Sequence, residues 1–170
     1  MSKPAIRAGG TEDAAALALV GAATFLETYA GEIPGADILT HVARHHTVEA
    51  YHGLLARPDT RVWLAEVGGA AIGYAMLAAP DQELATADDA DLKRIYVLSK
   101  WHGTGLARQL AERAMAAARV MGKRRMLIGV KPDNHRAIAF YRKIGAELVG
   151  GRRFTVGESV FDDPVFGVGL

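Results

Sequence analysis

The spacing of hydrophobic and polar positions changes twice along the chain. Early on, Leu17, Val20, Thr24 and Leu26 recur at roughly helical spacing. Thr11 stands where a cap would, with Glu12 and Asp13 in a first turn that favours acids. Gly31 and Ile33-Pro34 end that helix. Residues 37 to about 55 read as one or two further helices, with Thr47 and Glu49 as an internal restart, and Arg57-Pro58-Asp59 breaks the pattern. The period then falls towards two. Residues 61–67 read as a strand, Gly68-Gly69 as a two-residue hairpin turn, and 70–79 as the returning strand. An acidic loop over 80–90 leads to a strand over 91–98. The spacing predicts a helix from Leu106 to Met121 closed by Gly122, then a strand over 126–130. Asn134 caps a further helix to about Lys143, closed by Gly145, and the tail from Glu147 to Leu170 suits one or two last strands.

Helices, a strand hairpin, then strand-helix-strand-helix-strand make an α/β (α+β) fold with a mixed sheet. No repeat, low-complexity stretch or linker divides the chain, so residues 1–170 are expected to form a single domain. The net charge of +1 gives no global pull towards nucleic acid or an anionic membrane. The absence of cysteine removes disulfide scaffolds, thiolate metal sites and cysteine nucleophiles. No apolar run is long enough to span a bilayer, and Met1 to Arg7 hold no apolar signal core. The expectation is a cytoplasmic protein without a metal.

The chemistry concentrates in two places. After Lys93-Arg94-Ile95-Tyr96-Val97 comes the turn His102-Gly103-Thr104-Gly105-Leu106-Ala107-Arg108, which opens a helix. Glycines let backbone approach an anion, and the free N–H groups of a helix start can bind phosphate. Arg108 opposes the helix dipole unless an anion sits there. A ligand-free glycine turn fits the same residues. A dinucleotide site would want a third glycine where Arg108 stands and an acid about 20 residues on; Lys123-Arg124-Arg125 could serve a 2′-phosphate instead. The second place is Asn134-His135-Arg136-Ala137-Ile138-Ala139-Phe140-Tyr141-Arg142-Lys143-Ile144-Gly145.

Together these segments resemble the GNAT acetyltransferase superfamily. Its turn runs Gln or Arg, two residues, Gly, one residue, Gly or Ala, matching His102, Gly105 and Ala107, with histidine as the departure. Its helix motif matches Asn134, Ala137, Phe140, Tyr141 and Gly145. The resemblance implies a GNAT fold with about six to seven strands and about four helices. It implies acetyl-CoA as cosubstrate, with Ile95, Tyr96 and Val97 along the pantetheine and acetyl carbonyl and residues 102–108 on the pyrophosphate. Asn134, Ala137, Tyr141 and Lys143 would complete that site, and Tyr141 would protonate the departing thiolate. A helix cap at Asn134 and a packed ring at Tyr141 are the plainer roles of the same residues. Homodimers are common in the superfamily and are expected only by that analogy.

Transfer also needs a group that takes the amine proton. Candidates are Asp91, placed by strand alternation on the face of Lys93, Ile95 and Val97, together with Glu27, Tyr29 and Glu66. Gly129 stands where N-terminal acetyltransferases of ribosomal proteins carry glutamate, and the surrounding segments look more like the PaiA branch, which implies polyamines or other small amines. Acidic Asp88-Asp89-Asp91 and Glu27-Glu32 would suit a polycation; a solvated acidic loop explains them equally. A protein or peptide acceptor, a non-catalytic acyl-CoA sensor and a nucleotide-dependent oxidoreductase are the alternatives. His41 and His45 share a helix face but lack a third zinc ligand, so a solvated helix is expected there.

Overall fold

A computed structural model describes residues 2–170. Strand β1 (Ala5–Ala8) is followed by a single 3-10 turn at Thr11–Asp13 and then α1 (Ala14–Tyr29), α2 (Gly35–His45) and α3 (Val48–Leu55). Next come β2 (Arg61–Val67), β3 (Ala70–Ala78), β4 (Asp89–Val97) and α4 (Leu106–Val120). The chain ends with β5 (Arg125–Gly129), α5 (His135–Lys143), β6 (Glu147–Val156) and β7 (Ser159–Gly169). Seven strands form one sheet in the order β1-β2-β3-β4-β5-β7-β6. All neighbours are antiparallel except β4 and β5. The mixed sheet matches the expected fold. The fifth helix arises because Thr47 caps α3 by accepting from the Ala50 N–H at 3.1 Å, splitting the 35–55 region in two. None of the described helices is long and apolar enough to cross a membrane.

The sheet buries both faces. On one, Leu106, Leu110, Ala114 and Ala118 of α4 pack on Ala75, Leu77, Ala90, Leu92, Met126 and Ile128, and Tyr141 of α5 joins this cluster. On the other, Leu17 and Val20 of α1 and Tyr51 of α3 pack on Val62, Leu64, Tyr74 and Met76. Leu26, expected on the inner stripe of α1, is half exposed; Phe25 takes the buried place. Inside this second layer runs a hydrogen-bonded row, His46 Nδ1 to Tyr51 Oη at 2.9 Å and Tyr51 Oη to Tyr74 Oη at 3.0 Å. Gly21 leaves room for it, since a Cβ there would stand 2.2 Å from Tyr51 Oη. Gly21→Ala is therefore expected to destabilise by about 1–3 kcal/mol through overpacking, read as a lower urea midpoint with unchanged slope.

Two irregularities along β4 shape the sheet at its middle. β4 and β5 pair only at Asp89, Ala90 and Asp91 opposite Arg125, Met126 and Leu127; past that point they part. β4 also carries an extra residue, because Met76 faces Arg94 while Leu77 faces Leu92, leaving Lys93 as a bulge.

Candidate active site

The gap between β4 and β5 opens into a cleft of about 1920 Å³. That exceeds the roughly 300–1,000 Å³ of a single small-ligand site, leaving room for two reactants. The helices that follow the two strands, α4 and α5, both start on it, since Gly105, Leu106 and Asn134 line it. Phe25 and Tyr29 of α1, His41 and His45 of α2, and Arg152 and Phe154 of β6 line it as well.

The end of β4 presents backbone to the gap. The Leu98 N–H donates to Ile72 O on β3 at 2.8 Å. Alternation then turns the backbone groups of Ile95 and Val97 away from β3, to the side β5 has left. The Val97 carbonyl accepts from His102 Nε2 at 2.8 Å, so that nitrogen carries the proton. The His102 ring thus ties the turn to the strand end.

The turn itself is built for close approach. Gly103 and Gly105 have φ of 77° and 84°, left-handed conformations that other residues rarely adopt. No atom lies within 4 Å of where a Cβ on Gly103 would be. Thr104 Oγ1 donates to Trp101 O at 2.6 Å and braces the turn. α4 begins without a side-chain cap and without an acid in its first turn, so its first N–H groups face the cleft unclaimed. Ala107 and Arg108 line the same edge, and Arg108 Nε donates to Glu112 at 2.9 Å. An anion with two phosphates fits this cradle of backbone donors.

On α5, Asn134 caps the helix by accepting from the Ala137 N–H at 3.2 Å, and Asn134, Ala137, Tyr141 and Lys143 all line the cleft. Tyr141 is 6 % exposed. Burial, first among several causes, raises its hydroxyl pKa, so it is protonated at neutral pH.

The candidates for the amine proton divide. Asp91 does not join the cleft. The bulge at Lys93 reverses alternation, so Ala90 and Leu92 share the α4 face with Ile95 and Val97 while Asp91 faces the other way. It is fully buried; burial pushes its pKa up to about 6, Gln82 Nε2 donates to it at 3.3 Å, and its Oδ2 has no partner. Glu66 is elsewhere, bound by Arg7 at 2.8 Å on the β1–β2 edge. Glu27 lines the cleft and accepts from Ser99 N–H and Oγ at 3.0 and 2.8 Å, while Tyr29 lines it as a buried ring. A residue that sequence reasoning passed over is Asp163 of β7. It lines the cleft, is 3 % exposed, has an Oδ1 with no partner, and is pushed up to about 6 by burial. Only its neighbours on β6 and β5 distinguish it from an ordinary strand aspartate.

The acidic segment also differs from a solvated loop. Asp89 is 2 % exposed and accepts from Arg125 Nε and Nη2, both at 2.8 Å. His41 and His46 are buried too, at 8 and 7 % exposure, with His41 stacked on Phe25 at 4.2 Å, which corrects the solvated-helix expectation. Among the described residues no group of three His, Cys, Asp or Glu stands together as metal ligands.

Comparison with known proteins agrees with this geometry. The profile described as "Acetyltransferase (GNAT) family" matches residues 23–146. An uncharacterized N-acetyltransferase of Mycobacterium tuberculosis is 32% identical over 145 residues, 85% of this chain and 90% of that protein. In fold, the chain is similar to the PaiA N-acetyltransferase of Thermoplasma acidophilum solved with coenzyme A (TM-score 0.81, 19% identity, 99% of both chains). It is also similar to YncA, a putative acetyltransferase from Salmonella typhimurium with acetyl-CoA (TM-score 0.70, 23% identity, 99% and 95%). Matched by that profile from α1 through α5 and by a relative along most of both sequences, the chain belongs to the GNAT family and is an acetyl-CoA-dependent acyltransferase.

Proposed function

We propose that the protein transfers the acetyl group of acetyl-CoA directly to the primary amine of a small molecule. The observation that carries this reading is the parting of β4 and β5 after Asp91 and Leu127, with two helix starts on one open gap. Residues 102–108 hold the pyrophosphate, and the backbone of Ile95 to Val97 holds the pantetheine and polarises the acetyl carbonyl. Asn134, Ala137 and Lys143 hold the pantetheine end. The amine nitrogen forms its bond to the acetyl carbon as the carbon–sulfur bond breaks. Tyr141 gives its proton to the departing sulfur, and Asp163 takes the proton that the amine sheds.

A polyamine acceptor, the narrower reading from the PaiA branch, has thin support at the acidic positions. Asp89 is paired with Arg125, Asp91 is buried, Glu32 binds Lys131 and Glu27 binds Ser99. A small amine is the reading we adopt.

Thiol release from acetyl-CoA across a panel of small amines, spermidine and an N-terminal peptide tests the proposal. Turnover of a small amine is expected. Turnover of the peptide alone would make the protein a peptide acetyltransferase, and tight acetyl-CoA binding without turnover would make it a sensor. Thermal shift with coenzyme A but not with NADP is the accompanying result. With Asp163 as the base, kcat/KM for the amine falls as pH drops below about 6, where its carboxylate becomes protonated. Asp163→Asn removes that limb.

A further inference from the structure

Two arginines line the side of the cleft that α1 and α2 close, and each has a buried N–H with no acceptor: Arg94 Nη1 and Arg152 Nε. The bulge at Lys93 turns Arg94 away from α4, opposite Met76, and its guanidinium lies 5.0 Å from the centre of the Tyr51 ring. Among the described residues no carboxylate pairs with it; the groups that act on its charge are the phenols of Tyr51, Tyr74 and Tyr96. Arg152 reaches over β7 to lie against Gly129, where a Cβ would stand 2.3 Å from its Cζ. The acid nearest it, Asp163, is 3.8 Å from Nη2, beyond hydrogen-bond range.

Asp163, ionised at pH 7, offsets part of the Arg152 charge at that distance, while no carboxylate among the described residues offsets Arg94. Lys131 is already matched by Glu32 and Asp133. Burial, with neighbouring positive charges including Arg94, brings His41 down to about 4 and His46 to about 3, so both are neutral at pH 7. A guanidinium cannot shed its charge, and one left half-buried with an unmet donor costs stability unless a ligand meets it. A polycation would be repelled here; a planar anion would be held by two parallel N–H bonds.

We propose that the acceptor amine also carries a carboxylate, as a free amino acid does, and that Arg94 binds that carboxylate while Arg152 adds a second positive charge to the same side. This rests on the acetyltransferase reading above, and the test separates the two. Thiol release is measured with the free amino acids, the carboxamides of those that react, a dipeptide, spermidine and putrescine. At least one amino acid is expected to exceed its own carboxamide about 100-fold in kcat/KM, and to exceed both polyamines. The dipeptide arm tells a free amino acid from a peptide carboxylate. In Arg94→Gln, the KM for that amino acid rises about 30-fold or more while the acetyl-CoA KM stays within about twofold. Its Tm holds or rises, because a buried unmatched charge is gone. Arg94→Lys keeps the charge without the fork and recovers part of the loss. Polyamines reacting better than amino acids, or a carboxamide matching its acid, overturns the carboxylate assignment and leaves acetyl transfer standing. So does an Arg94→Gln variant that melts lower with an unchanged amine KM. Binding of acetyl-CoA with no thiol release for any amine overturns both.

Discussion

Tyr141→Phe is expected to lower kcat about 100-fold or more while the acetyl-CoA KM stays within about twofold. The substitution removes one oxygen and keeps the ring that packs with Ile138 and Phe140 beside α4. Folding should be almost untouched, so the loss falls on chemistry. Burial keeps the phenol protonated far above neutral pH, whereas a free thiol ionises near 8.5. The hydroxyl therefore gives up its proton only late, once the carbon–sulfur bond is well broken and negative charge gathers on sulfur. Two measurements check this: steady-state kinetics with the amine saturating, and the alkaline pH profile. Tyr141 should contribute no falling limb between pH 7 and 10, because its own ionisation lies above that window. An unchanged kcat in the phenylalanine variant removes Tyr141 as the acid.

The second large effect is on stability. Asp89→Ala is expected to cost about 2–3 kcal/mol, below the roughly 3–5 kcal/mol of a fully buried pair, because Arg125 keeps 34% of its side chain exposed. Asp89 holds Arg125 with both oxygens and accepts from Thr86 N–H at 2.8 Å, so it joins the 80s loop, β4 and β5 at one point. Arg125, with the Thr86 bonds added, holds its carboxyl below the usual range near 4. A depressed acid stabilises the fold at every pH above its unfolded value. That contribution is lost as pH falls through the folded value, so the gap between wild type and variant should narrow in acid. Urea titrations at pH 7 and in acid measure it. The pair between Lys93 and Asp81, with Asp81 71% exposed, is the control; Asp81→Ala should cost at most about 1 kcal/mol.

The elements were legible because their signals are local. Thr47, Asn134, Gly68-Gly69, Gly122 and Gly145 mark boundaries by side-chain capping or by backbone freedom, and the structure uses each where the sequence places it. β1 carried no such signal; its four residues become a strand only because β2 lies beside them. The cofactor side was legible for the same reason, being two short segments that each start a helix. The acceptor side was not. Asp91 was misplaced because a one-residue bulge leaves no trace in a period-two pattern. Asp163, Arg152 and Gly129 lie on three different strands and become one group only through the β5-β7-β6 order. Arg94 reads in sequence as one more basic residue in Lys93-Arg94; only its pairing opposite Met76 reveals that it turns inward.

The three-residue contact between β4 and β5 has a kinetic consequence as well. It is the main lateral bond between β1–β4 and β5–β7, so backbone amides at Ala90 and Asp91 and at Met126 and Leu127 should exchange with solvent only when the sheet comes apart as a whole. Amides further along β4, past the fork, have no strand to shield them on that side. A bound pantetheine would take the place of the missing neighbour, and the slowing of exchange at Ile95 and Val97 would then measure, residue by residue, how far the ligand closes the sheet.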